Sequence, residues 1–193
     1  MQSIGVFCGS NTGSGTAYAD AARRLARVIA GRGLKLVYGG GSIGLMGELG
    51  AEALAAGGHV IGVTPRRLLQ KELVLRGLTE LRVVETLLER KALMAELSDG
   101  FVALPGGLGT MDELFEMLTW SQLGIHRKPC ALLDVDDYYA KLAGFLDHAV
   151  AQRFITPQHR AMLIVERDAE TVLDRLASTP LPDVSKWMDR KPA

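Results

Sequence analysis

Three glycine-rich segments of this 193-residue chain each follow a short apolar run. They are Cys8-Gly9-Ser10-Asn11-Thr12-Gly13-Ser14-Gly15, Gly39-Gly40-Gly41-Ser42-Ile43-Gly44-Leu45-Met46-Gly47 and Pro105-Gly106-Gly107-Leu108-Gly109-Thr110. Glycine lets the backbone come close to a ligand. A helix opening just after such a loop adds free N–H donors and the positive end of its dipole. The chemistry this favours is capture of an anion, most often phosphate. One such loop is as readily a tight turn, but three along one sheet edge point to a nucleotide. Gly9, Ser10, Gly40, Gly41 and Gly106 are the candidate phosphate and ribose contacts.

The kind of phosphate chemistry is narrowed by what the loops lack. Gly39, Gly41 and Gly44 satisfy G-x-G-x-x-G after an apolar run, but the next run ends Val63-Thr64-Pro65, without the acidic residue that holds a dinucleotide's ribose. Leu45 stands where a Walker loop has its lysine. Gly40-Gly41-Ser42-Ile43-Gly44 matches the G-x-S-x-G nucleophile elbow, and Asp134 with His148 or His159 follows in the right chain order. Five residues of glycine-rich sequence match by chance easily, and the chain is short for that fold. The four histidines are scattered, with no H-E-x-x-H or C-x-x-C, so neither a metal nor a cofactor is expected.

Two further stretches carry charge next to helix starts. Thr110-Met111-Asp112-Glu113 reads as a capping box, with Glu113 bonding back to the Thr110 N–H. Thr86-Leu87-Leu88-Glu89 reads as a second, which puts Arg90 and Lys91 near the start of another helix. Asp112 and Glu113 project about 100° apart on a helix, which does not suit the opposed carboxylate pair of O-glycosidases.

The elements that must position these residues are legible from hydrophobic patterning. Apolar runs at 4–8, 34–38, 59–63, 81–84, 101–104, 130–133 and 162–165 are nearly continuous rather than alternating, as strands buried on both faces are. Helical stretches lie between or after them at 18–30, 45–56, 87–97, 112–122, 137–151 and 169–176. In the fourth, Leu114, Met117 and Leu118 form one stripe, while Phe115, Trp120 and Leu123 lie on other faces. Such a helix is buried on two sides, either by a second subunit or by the chain's own C-terminal segment. Strand–helix alternation predicts an α/β fold, a single-domain, Rossmann-like, doubly wound parallel sheet over residues 1–178 with a tail at 179–193. Ligands of such sheets sit beyond the carboxyl ends of the strands, where the glycine loops fall.

Composition agrees and excludes alternatives. Hydrophobic residues make up 48% and charged residues 23%, which is globular. Lys plus Arg equals Asp plus Glu at 22, so there is no basic excess for a nucleic-acid or membrane-surface partner. No apolar run reaches the roughly 18 residues of a membrane span, and the N-terminus lacks the charged region of a signal peptide. The expected location is the cytoplasm. Cys8 and Cys130 fit it as small core residues rather than a disulfide.

Gly39 to Gly47, Glu89-Arg90-Lys91 and the P-G-G-x-G-T-x-x-E stretch from Pro105 to Glu113 resemble the "lonely guy" family. Its members are cytokinin riboside 5'-monophosphate phosphoribohydrolases, often labelled lysine decarboxylases. The resemblance runs from about Ser3 to Phe154. It implies a Rossmann-like fold, a homodimer or larger even-numbered oligomer, and an active site near the subunit interface. By the same resemblance Arg90 and Glu113 are catalytic. Substrate contacts fall on Glu72, Arg90, Lys91, Gly107, Leu108, Gly109, Thr110, Met111, Asp112, Glu113 and Thr119. Many members have Met-His where this chain has Leu87-Leu88, a departure at the base pocket that touches neither catalytic position.

The implied reaction is hydrolysis of the N-glycosidic bond of an N6-substituted adenosine 5'-monophosphate, releasing purine and ribose 5-phosphate. A carboxylate suits the positive charge that develops on the sugar or the activation of water. A guanidinium suits phosphate or the departing base. Two other readings use the same loops: a general nucleoside 5'-monophosphate nucleosidase, and a non-catalytic carrier like the molybdenum-cofactor carriers. A carrier has no need of the Arg90 and Glu113 pair. A decarboxylase would need a Schiff-base lysine for pyridoxal phosphate, and no lysine stands in a recognisable context for one.

Overall fold

The computed structural model describes residues 1–69 and 74–180. Glu72 and the tail beyond residue 180 lie outside the described residues. Seven strands, β1 (Ser3–Phe7), β2 (Lys35–Tyr38), β3 (Val60–Pro65), β4 (Glu80–Val84), β5 (Gly100–Ala103), β6 (Cys130–Leu133) and β7 (Leu163–Glu166), form one sheet in the order β4-β3-β2-β1-β5-β6-β7. Every neighbouring pair is parallel. The helices are α1 (Ala17–Gly31), α2 (Gly44–Ala55), α3 (Arg66–Leu69), α4 (Leu87–Leu97), α5 (Leu108–Gln122), α6 (Ala140–Ala151), α7 (Pro157–Arg160) and α8 (Ala169–Ser178). All seven expected strands are present, and α3 and α7 are single turns that patterning did not reveal.

Successive strand residues enter opposite halves of the core, which is why the runs are continuous. Ile4, Leu36, Tyr38, Val102 and Leu104 pack on one face with α1, α2 and α8. Phe7, Val37, Ile61, Phe101 and Ala103 pack on the other with Met94 of α4 and Leu114 and Met117 of α5. In α1 the stripe Ala22, Leu25, Ala26 and Ile29 is fully buried; each large aliphatic side chain so removed from water contributes about 1.5–3 kcal/mol. The exception is β4. It is an edge strand, paired only with β3, and its middle residues, Leu81 to Val83, are exposed.

Two helix starts differ from the sequence expectation. α5 begins four residues before Asp112, with Gly107 as its N-cap, so Thr110 lies inside the first turn. The expected Thr110–Glu113 capping box is therefore wrong: free glycine N–H groups start the helix and Glu113 sits on its second turn. α6 begins at Ala140 because Asp136 and Asp137 adopt positive φ values of 51° and 57°, which no helix accommodates. The other capping box is real on its first arm, with Glu89 N–H donating to Thr86 Oγ1 at 3.1 Å. The Glu89 carboxylate, however, accepts from Glu85 N–H at 2.9 Å rather than from Thr86.

Candidate active site

The strand order turns around at β1. β2, β3 and β4 lie to one side of it and β5, β6 and β7 to the other. The crevice past the carboxyl ends of β1 and β5 is where such a sheet offers room for a ligand. A cleft of about 250 Å³ lies there. Its walls are the residues after β1 (Gly9 to Gly13), those after β5 (Pro105, Gly106, Gly107), and the side chains of Tyr18, Leu45 and Tyr138. The two loops are joined by Gly9 N–H donating to Pro105 O at 3.1 Å. A Cβ on Gly106 would lie 2.1 Å from Thr110 Oγ1 and 2.8 Å from Gly9 N, so only glycine lets the loops approach this closely.

The second glycine loop serves a different purpose. Gly40 O accepts from Leu75 N–H at 2.9 Å, Gly41 forms a bridge with Val74, and Leu45 N–H at the start of α2 donates to Gly9 O at 3.0 Å. The carbonyls and the helix N-terminus of this loop are thus used to hold its neighbours. Gly40 and Gly41, expected as phosphate contacts, do not line the cleft.

Arg90 crosses the strand ends to reach α5. From the second turn of α4 its Nε donates to Val63 O at 2.9 Å, at the end of β3. Its Nη2 lies against Gly39, just past β2, so closely that a Cβ there would be 1.8 Å away. Its Nη1 donates to Glu113 Oε1 at 3.0 Å. Both side chains are largely buried, at 14% and 11% exposed. Burial pushes the Glu113 carboxyl above its ordinary value, and the Arg90 guanidinium pulls it back without cancelling the rise. Cys8, at the end of β1, is buried beside the pair. Its desolvation drives the thiol far above the usual range, and the charge of Glu113 adds to that.

Lys91, one residue on, lies between two acidic residues of α5. Its Nζ is 3.0 Å from Asp112 Oδ2 and 2.9 Å from Glu116 Oε2. Burial works to lower the ammonium, but the bonds from Glu116 and Asp112 outweigh it and hold the group above its ordinary value. An amine kept protonated in this way is a poor Schiff-base nucleophile. Arg90–Glu113 and Lys91–Asp112 are therefore parallel ties between α4 and α5.

Of the residues expected at the site, Arg90, Lys91, Asp112 and Glu113 converge, while Gly9, Ser10, Gly106 and Gly107 line the cleft, whose walls include none of those four. Thr110 is buried behind Gly106, Met111 is half-buried in the core, Gly109 faces open space, and the Leu108 side chain is in solvent. Thr119 is not brought to the pair. It is six residues past Glu113 on α5, about 240° around the helix. Its hydroxyl donates to Phe115 O at 2.7 Å, and it faces an apolar groove with Phe115, Leu118, Leu146 and Met162. The second apolar face of α5 is therefore packed at least in part by the chain's own C-terminal half. The patterning marked Gly39 only as part of a glycine loop, without its contact to Arg90, and missed Tyr18 and Tyr138. The D-D-Y-Y stretch after β6 was the only signal for the last of these.

A doubly wound parallel sheet with glycine loops at its turning point and a buried Arg–Glu pair past its strand ends defines a Rossmann-like α/β protein. The sequence model of a family described as "Possible lysine decarboxylase" matches residues 46–176. The chain is 49% identical over 178 residues to a cytokinin riboside 5'-monophosphate phosphoribohydrolase of Rhodococcoides fascians, covering 92% of this chain and 90% of that protein. It is 48% identical over 187 residues to one of Arabidopsis thaliana, covering 94% and 82%. The chain belongs to this family, the one carrying both the decarboxylase description and the phosphoribohydrolase relatives. A molybdenum cofactor binding protein from Rippkaea orientalis shares the fold, with a TM-score of 0.69 at 22% identity over 92% of this chain and 96% of that one.

Proposed function

We propose that this protein is a phosphoribohydrolase that cleaves the N-glycosidic bond of N6-substituted adenosine 5'-monophosphates. Water adds to C1' of the ribose, the C1'–N9 bond breaks, and its electron pair leaves with the purine, which is protonated. The products are the free base and ribose 5-phosphate. The observation that carries the reading is the buried Arg90–Glu113 pair, at the same carboxyl edge of the sheet as the glycine cleft, in a chain about half identical to named phosphoribohydrolases. The Gly106–Thr110 segment at the start of α5 receives the 5'-phosphate. Glu113 stabilises the positive charge growing on the sugar and orients the water. Arg90 keeps Glu113 ionised and aligned, and offsets charge on the departing base.

Phosphate binding far from the scissile bond is used to position that bond. Incubation with AMP, N6-isopentenyl-AMP and adenosine, followed by separation of base and sugar products, tests the assignment. Both nucleotides are expected to release base and ribose 5-phosphate, with adenosine at least about a hundredfold slower. Equal rates on adenosine and AMP overturn the phosphate site. The relative rates of the two nucleotides set the breadth of the enzyme.

In this reading the protein works as a homodimer, or a larger even-numbered oligomer, in the cytoplasm. Leu88 and Leu108, 63% and 91% exposed at the starts of α4 and α5, and Phe154, 88% exposed, supply apolar surface for a partner. The two cysteines, free and buried, support a reducing compartment. Among the described residues no helix is long and apolar enough to cross a membrane. Light scattering is expected to give at least twice the 20.8 kDa chain mass. A fully active monomer rejects the assembly.

A further inference from the structure

The segment from Leu104 to Gly107 is held from outside by three consecutive carbonyls. Leu104 O accepts from the Tyr139 hydroxyl at 2.6 Å. Pro105 O accepts from Gly9 N–H at 3.1 Å. Gly106 O accepts from the Tyr138 hydroxyl at 2.6 Å. In a planar trans peptide the C=O of one residue and the N–H of the next point in opposite directions. Fixing Pro105 O and Gly106 O therefore fixes the directions of the Gly106 and Gly107 N–H groups, the first two donors of the loop. Among the described residues no backbone or side-chain acceptor takes either of them.

The two tyrosines differ in setting. Tyr139 is fully buried, and Asp134 Oδ1 accepts its N–H at 2.8 Å, so it belongs to the core. Tyr138 is partly exposed, lines the cleft, and meets Tyr18 edge-on at 5.9 Å between ring centres. It follows directly on Asp136 and Asp137, the two left-handed residues that keep α6 from starting there. Consecutive non-glycine residues in that conformation are sparsely populated and carry local strain. The strained turn delivers the Tyr138 hydroxyl to the glycine loop.

We infer that Tyr138 is a positioning residue for phosphate recognition: its hydroxyl, bonded to Gly106 O, holds the Gly107 N–H toward the phosphate of a nucleoside monophosphate. The inference rests on the reading of this cleft as the phosphate site. Tyr138→Phe keeps the ring and deletes the hydroxyl, so it separates this role from packing. Calorimetric titration with ribose 5-phosphate and with adenosine, together with kcat and KM for AMP, provides the test. The expected result is a rise of about tenfold in the ribose 5-phosphate Kd and the AMP KM, with kcat within about threefold of wild type. Adenosine affinity and melting temperature are expected to stay unchanged, whereas Tyr139→Phe lowers the melting temperature. Unchanged ribose 5-phosphate affinity in Tyr138→Phe overturns the proposal, and so does an equal loss for adenosine. If wild type itself binds adenosine as well as AMP, the phosphate reading of the cleft fails and the Tyr138 role with it. A phosphate preference that survives intact in Tyr138→Phe removes the Tyr138 role alone.

Discussion

Glu113→Gln is expected to lower kcat by about a thousandfold while AMP still binds. Glutamine keeps the size of the side chain and an oxygen that can accept from Arg90 Nη1, now 3.0 Å from the carboxylate. What it loses is the negative charge facing the sugar as the N-glycosidic bond breaks. Because Glu113 is not a helix cap, helix α5 keeps its start at Gly107 in the variant. The cost in stability is about 1–3 kcal/mol, since Arg90 loses a charged partner but retains Val63 O and a hydrogen bond. Release of free base and ribose 5-phosphate measures turnover, and titration with AMP measures binding. Activity within tenfold of wild type removes Glu113 from the chemistry.

The same residue sets an acid limit. Burial raises the Glu113 carboxyl above its ordinary value of 4.5, so it takes up a proton on acidification earlier than an exposed glutamate. In the proposed mechanism the ionised form does the work, so kcat/KM is expected to fall as pH drops through this raised value. The residual activity of Glu113→Gln is expected to lack that acid limb.

Gly39→Ala is expected to lower kcat/KM by about a hundredfold while the chain still folds. The new Cβ would lie 1.8 Å from Arg90 Nη2 and 3.0 Å from Arg90 Cζ. The atoms in the way are the far end of a flexible side chain, so the guanidinium moves rather than the backbone. Displacing it costs about 1–3 kcal/mol, since the buried Glu113 loses its charged hydrogen-bond partner. The displaced guanidinium gives up its alignment with Glu113, and a shift of about 1 Å in such a group is enough for a loss of this size. Gly106→Ala makes the contrast, because its Cβ would press on Gly9 N, a backbone atom that cannot swing aside. A cooperative melting curve, only modestly lowered, together with depressed kcat/KM is the result expected for Gly39→Ala. Full activity would show that Arg90 has a second, equally productive seat.

Much of this was legible in the sequence for definite reasons. Strands buried on both faces show as continuous apolar runs, and all seven were readable, although the exposure of β4 was not, since an edge strand carries the same valines and leucines. The glycine loops were readable as places of close approach because a backbone that must come near another group tolerates no side chain. The start of α5 was misread because Thr110 and Glu113 have the spacing of a capping box, and spacing does not show which of several candidate first turns the chain uses.

The sequence by itself determined the residue types, Arg90 and Glu113 among them, the parallel sheet and the glycine-lined strand ends. Tertiary structure alone decided how they meet. Strand order is invisible in a linear pattern, and it is the order β3-β2-β1-β5 that lets Arg90 touch Val63, Gly39 and Glu113 in one line. It also separated the three similar loops, the first and third lining the cleft with their glycines while Gly39 of the second seats an arginine. And it placed Tyr138, a residue with no motif around it, on the carbonyl of Gly106. Such contacts join residues far apart in the chain, 23 positions for Arg90 and Glu113, 27 for Val63 and Arg90, 32 for Gly106 and Tyr138, and 51 for Gly39 and Arg90. They follow from packing one element against another, a geometry that local propensity does not encode.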